Sequence, residues 1–265
     1  MLKKLYKHEF HSLFRLMLPI YAGLLIMAGL TRLLQLLPSN IIVDFLKGST
    51  VVLYVLAILG MYLLTMIIII TRFYKNLLSK EGYLTFSLPV RAGDHLNCKL
   101  VCSIIVLWLT VVMMGVSLMV VFLATNGLAD FFDGVRYFFE YMAHHFTVWQ
   151  NIIMAVEALL AGLAITCYGV LMFYGSMCIG QLFKKRIGAA VLSGFIIYST
   201  IQTVGVVTVS VLMFAGLDDW LARIDFTPFG AVCSILGVII VWEGLLSTAL
   251  YITSHHILTK KLNLQ

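Results

Sequence analysis

Apolar residues fill this chain in blocks about as long as a bilayer is thick, and polar residues gather between the blocks. A hydrocarbon core about 30 Å thick needs roughly 20 apolar residues of helix, because unpaired backbone groups are too costly in lipid. The blocks predict six spans, at about 17–37, 49–71, 100–124, 152–183, 187–217 and 229–253. Pro38, Ser39 and Asn40 stop the first, and Thr125, Asn126 and Gly127 stop the third. The fifth block is longer than one crossing requires. It is either tilted or broken near its polar centre, Tyr198 to Thr203. The expected fold class is all-α: one polytopic transmembrane domain over residues 1–265.

Ahead of the first span, Leu2, Leu5, Tyr6, Phe10, Leu13, Phe14 and Met17 recur at helical spacing, with Lys3, Lys4, Lys7, Glu9 and His11 largely on the other side. This pattern suits an interfacial helix over residues 1–16, and it also fits a cytosolic extension of the first span. The basic start resembles a secretion signal. Its apolar run is span-length with no clear small-residue cleavage site, so a retained helix is expected.

Composition changes the picture from merely helical to lipid-solvated. Of the 265 residues, 62% are hydrophobic and 11% charged, with a mean hydropathy of +1.02. So few charges cannot coat a large core in water. The formal charge of +6 is distributed at block ends, which marks topology and not a nucleic-acid footprint. Lys3, Lys4, Lys7, Arg15, Arg72, Lys75, Lys80, Arg91, Lys99, Lys184, Lys185, Arg186, Lys260 and Lys261 fall on the side of the termini. Arg32, Lys47, Arg136 and Arg223 fall on the other. The positive-inside rule therefore places both termini in the cytoplasm, in a cell (plasma) membrane protein.

No phosphate-binding loop, dinucleotide motif or H-E-x-x-H is present, so the chain is not expected to be an enzyme, and any ATP chemistry belongs to another chain. None of the five cysteines lies in an outside loop or forms a C-x-x-C pair. The pairs His144–His145 and His255–His256 diverge around a helix and cannot share one metal. No metal site is expected. Glu157 and Glu243 interrupt apolar runs and are candidate proton carriers; the alternative is hydration near the outer interface for Glu157, and a partner such as Ser247 or a neighbouring helix for Glu243. Tyr198, Gln202, Thr203 and Glu243 are the candidate pathway residues. The outside segments 129–149 and 218–229 mix acids with aromatics and read as interfacial helices, with a gate as the alternative.

Residues 72–99 separate the second and third blocks with mixed charge and turn signals, including Lys80, Glu81, Gly82, Pro89 and Arg91. Leu84, Phe86 and Leu88 expose apolar side chains there, which suits docking of a soluble partner. The order Glu81, Gly82, Leu84, Leu88, Pro89, Val90, Arg91 and Lys99-Leu100 resembles the permease subunits of type-2 ATP-binding-cassette exporters. The six blocks and the tail LTKKLNLQ match that family's architecture. The resemblance implies that residues near 76–90 form a coupling helix for a separate ATPase subunit, which supplies ATP and Mg. It implies a second permease copy or related permease facing this one, and export of a hydrophobic or amphipathic substrate such as a peptide, lipid or drug. The longer aromatic segment between spans three and four departs from the commoner family pattern. A proton-coupled carrier using the intramembrane glutamates is the alternative.

Overall fold

Lipid leaves a chain of this composition with helices as the way to pair its backbone. The computed structural model describes residues 2–78, 91–122, 127–183, 186–214 and 227–260, and there is no strand among them. The helices are α1 (Leu2–Gln35), α2 (Ile41–Phe73, continued by a π-helical turn Tyr74–Leu78), α3 (Ala92–Phe122), α4 (Gly127–His145), α5 (Val148–Gly180), α6 (Arg186–Phe214) and α7 (Pro228–Lys260). Five helices among the described residues are long and apolar enough to cross a membrane: Leu2–Gln35, Ile41–Leu78, Gly93–Phe122, Val148–Gly180 and Pro228–Lys260. This is the architecture of a multi-pass membrane protein. The expected fifth span is α6, a helix of 29 residues. Its apolar stretch among the described residues, Leu192–Thr208, is shorter than the other five.

Most helices outrun the apolar blocks because their flanking charges are paired or capped. Asp44 and Lys47 lie inside α2 as an exposed pair at 3.8 Å. Lys47 Nζ also donates to the Leu37 carbonyl at 2.9 Å and so closes the end of α1. α5 starts at Thr147, whose backbone N–H donates to Gln150 Oε1 at 2.8 Å, half of a capping box. α7 starts on Pro228, with Thr227 Oγ1 accepting from the Gly230 N–H at 3.2 Å. There is no break at the polar centre of α6. The hydroxyls of Ser199 and Thr203 donate to the Ile196 and Ser199 carbonyls of the same helix, so these two need no neighbour. Nor does α1 break at residue 16: it runs through Pro19 as one helix of 34 residues.

The chain forms two compact units, residues 1–72 with 97–145 and residues 73–96 with 146–265. In the first unit, α1 presents Glu9, Leu13, Met17, Tyr21, Leu24, Ala28 and Thr31 as one buried stripe at spacings of three and four. Tyr21 shares a hydrogen bond of 2.9 Å with Thr110 of α3, and Tyr54 of α2 shares one of 2.8 Å with Ser117 of α3. Thr65 of α2 donates weakly to Met17 Sδ at 3.8 Å. Outward positions such as Leu59, Leu63 and Val111 stay exposed, facing what lipid would cover. Apolar contact gives little net drive between helices in lipid, so close packing and these bonds, about 0.6 kcal/mol each on average, hold the register.

The second unit packs α5 against α6 and α7. Phe73 stacks on Tyr174 with centroids 3.8 Å apart, and Leu77, Leu78, Leu96, Leu171 and Leu250 are buried in the same unit. Glycine permits the tightest approach. A Cβ on Gly175 of α5 would lie 3.3 Å from Leu250 Cδ2 and 3.5 Å from Ser254 Oγ of α7.

Candidate functional site

On α7, Glu243, Ser247, Leu250, Ser254 and Ile257 follow at spacings of three and four, and the last four are buried. That spacing puts Glu243 on the packed face of the helix, near the middle of its 33 residues. On α5, the buried Met154 and Ala161 share a stripe with Glu157 and Tyr168. The two stripes meet in a seam. Cys167 lies beside Ser247, Cys178 beside Ser254, and Glu157 beside Cys233, which sets α5 and α7 parallel. Tyr168 is close enough to Glu243 and to Tyr198 of α6 to feel both electrostatically. Three helices thus place one carboxyl group and one phenol on either side of Tyr168.

The acids are held without full partners. Glu157 Oε2 and Glu243 Oε2 are both enclosed with no hydrogen bond to the protein. Ser247 Oγ, one turn from Glu243, makes no hydrogen bond to an oxygen or nitrogen either, and its Cys167 neighbour is a weak donor. A partner for Glu243 at Ser247 is therefore not what the geometry shows. No Lys or Arg occurs in 148–183 or in 187–222, and in 228–260 only Lys260, at the end of α7.

Of the expected pathway residues, the structure brings Tyr198 and Glu243 around Tyr168. Gln202 lies one turn along α6 from Tyr198 on an exposed stretch, and a Cβ on Gly205 of that face would lie 3.9 Å from Trp242 Cζ2 of α7. Thr203 points a quarter turn away, and its hydroxyl is taken by the Ser199 carbonyl at 2.8 Å. Tyr168 was the residue missing from the sequence reading. Its signal was there, since it sits eleven residues beyond Glu157 on one helical stripe.

Of the residues expected to dock a partner, Glu81, Gly82, Leu84, Leu88, Pro89 and Val90 lie outside the described residues. Arg91 is exposed directly before α3, and its carbonyl accepts from the Asp94 and His95 N–H groups, at 3.0 and 3.4 Å, as the first turn forms. The roots on either side are firmly seated. Leu77, Leu78 and Leu96 are fully buried, and a Cβ on Gly93 would meet His255 Nε2 of α7 at 3.0 Å.

A second polar cluster, in the first unit, corrects the helical face assigned to Glu9. Instead of sitting with the solvated lysines, Glu9 is buried, because it falls four residues before Leu13 and eight before Met17 on the inner stripe of α1. Lys99 Nζ donates to Glu9 Oε1 at 3.0 Å, and Arg72 Nη2 stands 3.8 Å from the same oxygen. Lys99, read from sequence as a topology charge, is 6% exposed. The cluster ties α1 to the loop-side ends of α2 and α3.

The aromatic segment between the third and fourth apolar blocks is α4, with Phe131, Phe138 and Phe139 lining an open apolar groove over Gly134 and Val135. Arg136 and Glu140 pair at 2.8 Å on its opposite, polar face. Among the described residues no group of three or more His, Cys, Asp or Glu is placed to hold a metal ion. No family model matches the sequence, and no curated protein or solved structure matches it.

Proposed function

We propose that this chain is the membrane-spanning permease subunit of an ATP-driven exporter. A separate ATPase subunit docks on residues 72–99, and a second permease, identical or related, completes the path. The observation that carries this reading is the burial of the residues that flank 79–90. Twelve residues, 79–90, run between a π-helical turn with Leu77 and Leu78 fully buried and a helix start with Leu96 fully buried. A push on such a segment is passed to α2 and α3 as rigid elements, which a coupling helix requires. ATP and Mg enter through the partner, and ATP binding shifts the permease pair between two states by preferring one of them. In this reading α6 is the fifth of six spans, the two termini are cytoplasmic, and the amphipathic first turns of α1 extend the first span at the inner face of the plasma membrane.

The test is recovery of the tagged chain in mild detergent from its own host. A soluble protein with a G-x-x-x-x-G-K-[ST] motif is expected at a fixed ratio, and Leu84→Asp is expected to lose it. Absence of such a protein from a folded preparation would refute the reading.

A second reading, a proton-coupled carrier, is favoured by one observation, the incompletely paired Glu157 and Glu243 in the α5–α7 seam. It requires transport to lose its pH dependence when both become Gln.

A further inference from the structure

The seam in the second unit leaves a charge account open. A carboxylate at membrane depth needs a counter-charge, a proton or water. The helices that surround Glu243 carry no Lys or Arg near its level: α5 has none, Arg186 is the first residue of α6, twelve residues before Tyr198, and the α7 lysine, Lys260, lies seventeen residues from Glu243 at the helix end. That last offset is about 25 Å of helix. No Lys or Arg of α5 or α7 therefore supplies the counter-charge at the level of Glu243.

The neighbours of Glu243 favour one kind of cation. A hard metal ion takes about six oxygen ligands, and here one carboxyl and one serine hydroxyl are on offer, with no cluster of three metal-ligating side chains among the described residues. Tyr168 lies within electrostatic reach of the carboxyl, and Tyr198 within reach of Tyr168. A carboxylate with aromatic residues in its neighbourhood suits a large, weakly hydrated cation, which gains from ring quadrupoles and loses little water. Ser247 Oγ, one turn further along α7, offers a polar contact for a substituent on the same ligand.

We infer that Glu243, Ser247, Tyr168 and Tyr198 form a binding site for a lipophilic organic cation. The inference rests on the permease reading only for the direction in which such a compound moves; binding itself needs this chain alone. It narrows the substrate class from hydrophobic or amphipathic compounds at large to those carrying a delocalised or shielded positive charge.

The experiment is equilibrium dialysis of tritiated tetraphenylphosphonium against the full chain in nanodiscs of zwitterionic lipid, with tetraphenylborate as a probe of the same size and opposite charge. Saturable binding of the phosphonium and none of the borate is expected. Glu243→Gln is expected to weaken it about thirtyfold or more, the loss seen when one partner of a buried charge pair is neutralised. Tyr168→Leu is expected to weaken it about three- to thirtyfold. Glu243→Asp keeps the charge and is expected to retain binding within about tenfold of wild type, which separates loss of the site from loss of the fold. Only non-saturable partition, equal binding of the borate, or unchanged binding in a folded Glu243→Gln chain would each overturn the proposal. Absence of a partner ATPase would refute the exporter and leave this binding result untouched.

Discussion

Neutralising Glu9 is the perturbation whose size follows most directly from the structure. Glu9 is 9% exposed and accepts from Lys99, itself 6% exposed, at 3.0 Å, with Arg72 at 3.8 Å. Glu9→Gln leaves the buried Lys99 and the half-buried Arg72 around a neutral amide. Breaking a buried pair in this way costs about 3–5 kcal/mol, because the remaining charge keeps its desolvation penalty and loses its partner. Lys99→Met is the milder change, since Arg72 still stands beside Glu9 and a methionine fills much of the lysine volume. The double variant Glu9→Gln with Lys99→Met leaves Arg72 with an amide partner and is expected to be less damaged than the sum of the two. SDS titration of the purified chain in mixed micelles, read by circular dichroism, gives the cycle. A coupling of about 1.5–3 kcal/mol is expected for groups in one charge network. A coupling below about 0.5 kcal/mol, or Lys99→Met costing more than Glu9→Gln, would refute the reasoning, since the cluster would then be solvated.

Other outcomes follow from single contacts. Tyr54→Phe removes the 2.8 Å bond to Ser117 and is expected to cost about 0.6 kcal/mol, and not above about 1.7, in the same titration. Gly175→Leu places a branched side chain where a bare Cβ already meets Leu250 at 3.3 Å, so α5 and α7 separate and Cys178, now buried, becomes reactive to a membrane-permeant maleimide; unchanged labelling would contradict the packing. Fluorescent-protein fusions at each terminus test the span number, because six crossings make both fusions cytoplasmic and five leave one of them outside and dark.

What the residue pattern made legible was the location of the helices, because lipid reduces backbone pairing to a question of apolar length. The apolar blocks do not mark the helix ends. Asp44 and Lys47 interrupted an apolar run and were excluded from the second span, yet the helix includes them as an i, i+3 pair. Glu9 shows a deeper limit: a glutamate among lysines reads as solvated until a partner ninety residues away in sequence is seen to neutralise it. The candidate pathway was half legible. Glu243 and Tyr198 announced themselves as polar residues in apolar blocks, whereas Tyr168, an ordinary span tyrosine, gains meaning only when α5, α6 and α7 are brought together.

The central claim, that residues 79–90 dock an ATPase, is tested most directly by placing a photoreactive benzoylphenylalanine at position 84 in living cells and identifying the adduct. The account predicts a single cross-link to a soluble protein with a phosphate-binding loop, and none from the same residue at position 137 on α4. No adduct at position 84, or an equal yield of that adduct from position 137, would contradict it.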